Sequence, residues 1–362
     1  MTIAEQRLAN QRIEGRALRG PVEVVRWLVA SQAQDFAGAK WALGLRTRGA
    51  DDATVERAFN DGTILRTHVL RPTWHFVLAD DVRWLLALTG PRVLALSAPR
   101  LRELGLDAAT IKKATAVLVR AIESDGHRTR DELRAALAEA RITTEEQRLA
   151  YILMNAELRA IICSGPRRGK QFTYALLDQR APRARRLSRE ESLAELAGRY
   201  FASRGPATAH DFAKWSGLTI ADARAGVEAV ASQLRQREID GVTYWAGRLP
   251  ARAPARVPAG DGAPVAHLLS IYDEYISSYR DRDAICDPAD AKRLVGMGSA
   301  LAYLLIVDGR VAGTWRRTFA RKTVNIRLNL FRKLTAADTR AVAAAANRYV
   351  RFLGADRVLD LA

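Results

Sequence analysis

The sequence predicts a mainly α-helical protein with small β-wings, built as three tandem winged helix-turn-helix units followed by a C-terminal β-rich domain. Three observations lead there. The order helix, helix, strand, basic tip, strand runs through residues 129 to 176. A similar order returns in residues 190 to 246. After "GRLPARAPARVPAGDGAP", residues 247 to 264, which holds four prolines and three glycines, the chain changes to alternating, strand-like runs.

The first unit, residues 1 to 95, fits the plan loosely. "PVEVVRWLVA" and "DATVERAFNDG" have helical spacing, and "TILRTHVLRPTWHFVL" is expected to form a hairpin about "LRP". In the second unit, residues 96 to 187, Thr129 and Glu132 make a capping box that opens "RDELRAALAEA". Leu149, Ile152, Leu153 and Ala156 then form the apolar stripe of a second helix. "IICS", the turn "GPRRGK" and "QFTYAL" complete a wing. A weaker joint, "DQRAPRARRLSREES", leads to a capping box at Ser188 and Glu191.

The third unit, residues 188 to 246, starts with the helix "ESLAELAGRYFASRG" and a shorter one ended by Gly217. A long third helix is expected over residues 219 to 239, and "DGVTYWAG" as a strand after an Asp-Gly turn. Residues 247 to 264 are the linker. In residues 265 to 362, "HLLSIYDEYISSY", "LAYLLIVDGRVAGTWRRTF" and "KTVNIRLNLF" alternate as strands do. A terminal helix is capped by Thr335 and stopped at Gly354.

A chain of 362 residues, nearly half of them apolar, has material for two to four domains. Its 57 Lys and Arg against 40 acids give a formal charge of +17. That excess favours a polyanionic partner, nucleic acid ahead of a membrane surface. An Arg-rich background explains part of it. Cys163 and Cys286 are the only cysteines, so no disulfide framework is available, and five scattered histidines show no metal-ligand spacing. The charged N-terminus does not read as a signal peptide, and no apolar run has the length of a membrane span. A cytoplasmic, nucleoid-associated location is expected.

Two basic segments stand out. The wing tip carries Arg167, Arg168 and Lys170, suited to clamping phosphates or entering a groove; its ordinary alternative is a solvated turn. Residues 310 to 333 hold eight basic residues and no acid, with Arg316, Arg317, Arg321 and Lys322 around Phe319 and close to Trp315. Such a ribbon suits backbone contact with stacking or wedging. The alternative is an exposed sheet face on which arginine stems cover apolar surface. The expected helix at 219 to 239 balances Arg224, Arg235 and Arg237 with Asp222, Glu228 and Glu238, so it reads as scaffold. In "RTHVLRPTWHF", with Arg66, His68, Arg71, Trp74 and His75, packed strands with hydrogen-bonded imidazoles outweigh a His-based site. Asp273, Glu274, Asp281 and Asp283 are expected to bridge to arginines.

"VASQAQDFAG", residues 29 to 38, raises a different question, because Gln32 and Gln34 neither fill a core nor carry charge. Residues i and i+2 point apart on a helix but share one side of an extended segment. If the two amides act together, the chain must leave helical geometry near Ser31. A hydrogen-bonding role at a helix end is the alternative.

Together with "RTHVLRPTWHF", "LMNAELRAIICSGPRRGKQFTYALLDQRAP", "RYFASRGPATAHDFAKWSGL" and "YDEYISSYRDR", this stretch resembles the AlkZ/YcaQ-type winged-helix DNA glycosylases. The likeness runs from residue 5 nearly to the C-terminus. It implies three winged-helix units forming a concave basic surface for duplex DNA, and excision of N-alkylated purines, bulky and crosslinking adducts included. The family's catalytic motif of two glutamines around a variable residue falls on Gln32, Ala33 and Gln34. The YcaQ branch has a carboxylate at the last position, so Gln34 places the chain nearer the AlkZ branch.

An amide is no general base at neutral pH. An N7- or N3-alkylated purine is already cationic and leaves readily, so fixed dipoles that position water and stabilise an oxocarbenium sugar suffice. The resulting expectation is a monofunctional DNA glycosylase, with Gln32 and Gln34 catalytic. Arg167, Arg168, Lys170, Arg316, Arg317, Arg321 and Lys322 would bind DNA. Duplex DNA carrying alkylated purines is the expected partner, the protein a monomer, and no metal or organic cofactor is implied. The rivals are a non-catalytic tandem winged-helix regulator and, less favoured, a protein that sequesters a DNA-reactive compound.

Overall fold

The computed structural model describes residues 1–248, 262–280, 282–296, 303–320 and 323–360. Most of the expected linker, Asp281 and the ribbon residues Arg321 and Lys322 therefore lie outside the described residues.

The chain starts with α1 (Ile3–Asn10), held by a Thr2–Glu5 capping box, and α2 (Pro21–Leu28), whose proline sits where no intrahelical N–H is needed. A short strand β1 (Ala30–Gln32) follows, then α3 (Phe36–Gly44) and α4 (Asp52–Asn60). The hairpin expected about "LRP" is present as β2 (Ile64–Val69) and β3 (Arg71–Leu78), turning on Leu70 at φ 64°. The sheet order is β1-β3-β2, so β1 is laid antiparallel along β3 at one edge.

A long helix α5 (Val82–Glu103), with Pro91 and Pro99 inside it, leaves this sheet. The joint expected after residue 95 falls within that helix. Beyond it come α6 (Ala108–Glu123), β4 (Arg128–Thr129), α7 (Arg130–Glu139), α8 (Arg148–Leu158), β5 (Ile162–Ser164) and β6 (Thr173–Leu176). Thr129 caps α7 as expected, accepting the Glu132 N–H at 3.2 Å while its own N–H donates to Glu132 at 2.7 Å. The strands form a sheet of order β4-β6-β5, and α6, α7 and α8 close a core of their own around Leu118, Leu133, Leu137 and Leu153. A single turn, α9 (Leu177–Arg180), leads out.

Three helices follow: α10 (Arg189–Arg204), α11 (Ala209–Ser216) and α12 (Ile220–Ala229). The helix expected over 219 to 239 is cut short. After one 3₁₀ turn, residues Leu234–Ile239 form β7, paired with β8 (Val242–Gly247). The reason lies in the Asp-Gly turn: Asp240 and Gly241 both adopt positive φ, 51° and 72°, the two-residue hairpin geometry that needs a strand before it as well as after. This ribbon lies flat on α10, where a Cβ on Gly247 would stand 2.8 Å from the Ala202 Cα.

The C-terminal part comprises β9 (Ala266–Leu268), α13 (Glu274–Ser277), α14 (Pro288–Gly296), β10 (Leu304–Val307), β11 (Arg310–Ala320), β12 (Thr323–Leu330), α15 (Ala336–Leu353) and β13 (Asp356–Asp360). Its sheet order is β13-β12-β11-β10-β9. "HLLSIYDEYISSY" is strand only at its start. Asp273 caps a helical turn by accepting the Tyr275 N–H, and its alternation reflects buried polar groups. The terminal helix has the expected ends, Thr335 and Gly354.

This part shares one core with the N-terminal helices. Trp41 meets Tyr349 and Phe352 edge-on or tilted at ring distances of 5.0 and 5.3 Å, and its indole N–H donates to Leu268 O at 2.7 Å. A second core joins β2, β3 and α5 to α10, α11 and α12. The second core includes Ala30 of β1 and the first includes Ala33 directly after it. Among the described residues no helix is long and apolar enough to cross a membrane.

Candidate active site

Why β1 exists at all follows from Val29. The helix α2 ends at Leu28, and Val29 takes φ 67°, ψ −53°, a turn that a β-branched residue adopts only when its surroundings hold it there. Val29 is fully buried. The chain thus leaves helical geometry two residues before Ser31 and runs on extended. Gln32 lies opposite His75 in the ladder, and the Ala33 N–H continues the pairing by donating to Trp74 O at 2.7 Å. Gln32 and Gln34 therefore lie on one side of an extended segment, Gln32 8% exposed and Gln34 exposed.

The partners of the two amides decide their orientation. Arg71 Nη2 donates to Gln32 Oε1 at 3.1 Å, and the Trp74 backbone N–H donates to Gln34 Oε1 at 3.4 Å. A guanidinium and a peptide N–H can only donate, so each glutamine must turn its oxygen toward them. Both amide nitrogens are left without a protein acceptor among the described residues. Each side chain thus offers two N–H donors and one uncommitted lone pair.

Beneath the strand lies a buried ionic floor. Glu274 accepts the Gln32 backbone N–H at 2.9 Å through one oxygen. Its other oxygen accepts from Arg204 at 2.7 Å, Trp215 Nε1 at 2.9 Å and Ser278 Oγ at 2.8 Å. Arg204 in turn donates to Leu28 O and Ala30 O, on either side of the Val29 turn. Burial works against a charged Glu274. The Arg204 charge and hydrogen bond, with the Gln32 N–H, outweigh it and hold the carboxyl at about 2. Asp273 forms a fully buried two-pronged pair with Arg46 at 2.8 and 2.9 Å. Bridging to arginine, expected for these carboxylates, holds for Asp273 and Glu274.

The histidines are also largely as read. His75 is buried, its Nδ1 bonded to Thr73 O at 2.9 Å, and burial pushes it down to about 3, so it is neutral. His68 pairs with the buried Glu157 carboxylate and lies tilted against the Trp74 ring at 4.4 Å.

The expected DNA-binding residues divide. At the wing tip Arg168 and Lys170 are exposed, although Arg168 also reaches Glu132 at 2.6 Å. Arg167 turns inward: it pairs with Glu56 at 3.0 Å and lies near the rings of Phe36 and Phe172. It fastens the wing to α4. On the ribbon, Arg316 is exposed and Phe319 projects with 60% of its surface free. Arg317 is tied back to the Tyr349 hydroxyl at 2.6 Å. Tyr303, over which Arg317 lies, donates its hydroxyl to Asp35, directly after Gln34. The base of the ribbon therefore touches the glutamine segment. Arg204 is the residue sequence reasoning passed over, although it lies in the quoted "RYFASRG". A basic residue ending an apolar helix face was its only signal.

Two amides presented on this scaffold, in a chain of formal charge +17, are those of a DNA glycosylase, an enzyme that works on a base within a polyanion. Residues 25–352 match the family model described as "DNA glycosylase AlkZ-like", and the chain belongs to that family. It is 25% identical over 325 residues, 85% of each chain, to an interstrand DNA cross-link repair glycosylase of Streptomyces sahachiroi. It also shares its fold with the solved structure of the Streptomyces sahachiroi DNA glycosylase AlkZ, at a TM-score of 0.78 and 21% identity over 99% of this chain and 98% of that one.

Proposed function

We propose that the protein is a monofunctional glycosylase that hydrolyses the N-glycosidic bond of cationic N7- or N3-alkylated purines in duplex DNA, bulky and crosslinking adducts included. The observation that carries this reading is the pair of tethered amides on β1. Each has its oxygen facing an obligate donor and its nitrogen without a protein acceptor among the described residues. Such groups position a water and present fixed dipoles, but do not ionise a poor nucleophile. That chemistry suffices only where the leaving base already carries positive charge. The relative named for interstrand cross-link repair supports extending the substrate to bulky adducts.

The scaffold is read as three winged-helix units, at β1–β3, at α6–β6 and at α10–β8, around the duplex. Arg168 and Lys170 on the wing would hold phosphates. Arg316, with Phe319 and the neighbouring Arg321 and Lys322, would enter a groove, while Arg167 and Arg317 brace these elements from behind.

Purified protein incubated with a panel of alkylated duplexes tests the reading. Release of an N7-alkylguanine with an abasic site, and no borohydride-trapped covalent adduct, is the expected result. Binding to intact duplex with strong preference for one sequence, and release of no base, would make it a regulator instead.

A further inference from the structure

Trp74, whose backbone N–H reaches Gln34, also lines a cavity of about 350 Å³ that neither glutamine enters. Arg66 and Trp74 reach it from the β2–β3 hairpin, Phe172, Tyr174 and Lys170 from the wing, and Arg130 from the start of α7. The Arg66 guanidinium lies 4.2 Å from the Trp74 ring and 4.8 Å from the Phe172 ring. With aromatic rings against it, what remains for hydrogen bonding is its edge. Nε donates to Ala33 O at 2.9 Å, between the two glutamines. The Nη groups have no protein acceptor among the described residues, and no carboxylate pairs with Arg66 there.

The acids nearby have closer partners: Glu157 holds His68, Asp35 accepts the Tyr303 hydroxyl, and Asp131, also on the cavity wall, holds Arg134, so Glu157 and Asp35 act on Arg66 only through their charge. Burial lowers Arg66 only to about 10, so it stays charged at neutral pH. A charged fork with free donors, joined by Arg130 and Lys170, is matched to a tetrahedral oxyanion. A second planar ring is a poorer match, since Arg66 already has aromatic partners and the excess charge would remain unanswered.

We infer that this cavity is a phosphodiester subsite in which Arg66, backed by Arg130 and Lys170, grips one backbone phosphate next to the damaged nucleotide. The inference rests on the reading that duplex DNA lies over the strand that carries Gln32 and Gln34. Because Arg66 also holds Ala33 O, gripping the phosphate fixes the sugar-phosphate chain in register with Gln32 and Gln34. Arg66 is thus a positioning residue.

Single methylphosphonates, which remove one phosphate charge at a time, are placed on either side of the lesion and binding is measured. For the wild type, one position is expected to weaken binding by roughly ten- to a hundredfold. Arg66→Ala is expected to lose that sensitivity at the same position alone, and to flatten the slope of log K against log salt by about 0.9. Arg130→Ala with Lys170→Ala, which leaves the Ala33 contact in place, is expected to reduce the sensitivity there in the same way. If both variants keep the full wild-type profile, no phosphate sits in the cavity and the inference is wrong, whatever the excision assay shows. If wild type releases alkylated bases while these variants bind unchanged, the proposed function stands and the subsite falls. A wild type that binds no duplex overturns both.

Discussion

Arg71 and the Trp74 peptide group set which end of each glutamine faces them, because neither can do anything but donate, and the contact is tighter at Gln32, 3.1 Å, than at Gln34, 3.4 Å. The Gln-Ala-Gln spacing made the pair visible in the sequence. Arg71 stood in a stretch read as strand packing, and its contact with Gln32 depends on the register of β3, which no local pattern reveals. The same holds for Glu274: an acid among many arginines predicted a bridge, but the choice of Arg204 is made by how α10 and α13 meet. These residues set a pH dependence. His75 has a folded value depressed to about 3, so its neutral form stabilises the fold above its unfolded value of about 6.5, and that stability is lost as pH falls. Glu274, depressed to about 2, contributes stability present above about 4.5 and lost on further acidification. The melting temperature is therefore expected to fall in two overlapping stages from pH 7 downward, and His75→Gln to flatten the first. A melting temperature constant from pH 7 to pH 4 would contradict the account of the buried floor.

Among the elements, capping boxes and turn residues were the legible signals. Thr129, Ser188 and Thr335 start helices where expected, and Gly217 and Gly354 end them in left-handed conformation. The misread element was the helix over 219 to 239, because helical spacing in "AVASQLRQREI" competed with a hairpin turn further along, and the turn prevailed. Also hidden was the docking of α15 on α3, since the contact spans most of the chain. It depends on Gly44, where a Cβ would stand 2.4 Å from the Phe352 ring. Gly44→Ala is expected to destabilise the protein by about 1–3 kcal/mol, the usual cost of overpacking a core. Adding Phe352→Leu should recover part of it. Thermal or urea unfolding checks both, and an unchanged stability for Gly44→Ala would mean that α15 docks differently.

For the molecule as a whole, the C-terminal sheet and α10–α12 converge on one short strand, bringing Arg204 and Glu274 to the backbone of Ala30 and Gln32. The sequence pointed to separate units in series; that they share cores across the chain is a tertiary fact which composition and linker signals do not encode. Convergence on β1 explains why so small an element tolerates the Val29 turn and holds two amides ready. We propose that these amides, and no ionising base, release the damaged purine. Single-turnover release of an N7-alkylguanine from duplex DNA, compared for wild type, Gln32→Ala and Gln34→Ala, tests it most directly. Each variant is expected to slow release by about 10²–10³ while binding the duplex almost as tightly, because dipoles aimed at the transition state contribute little to ground-state affinity. Wild-type release rates in both variants would contradict this and place the chemistry elsewhere in the protein.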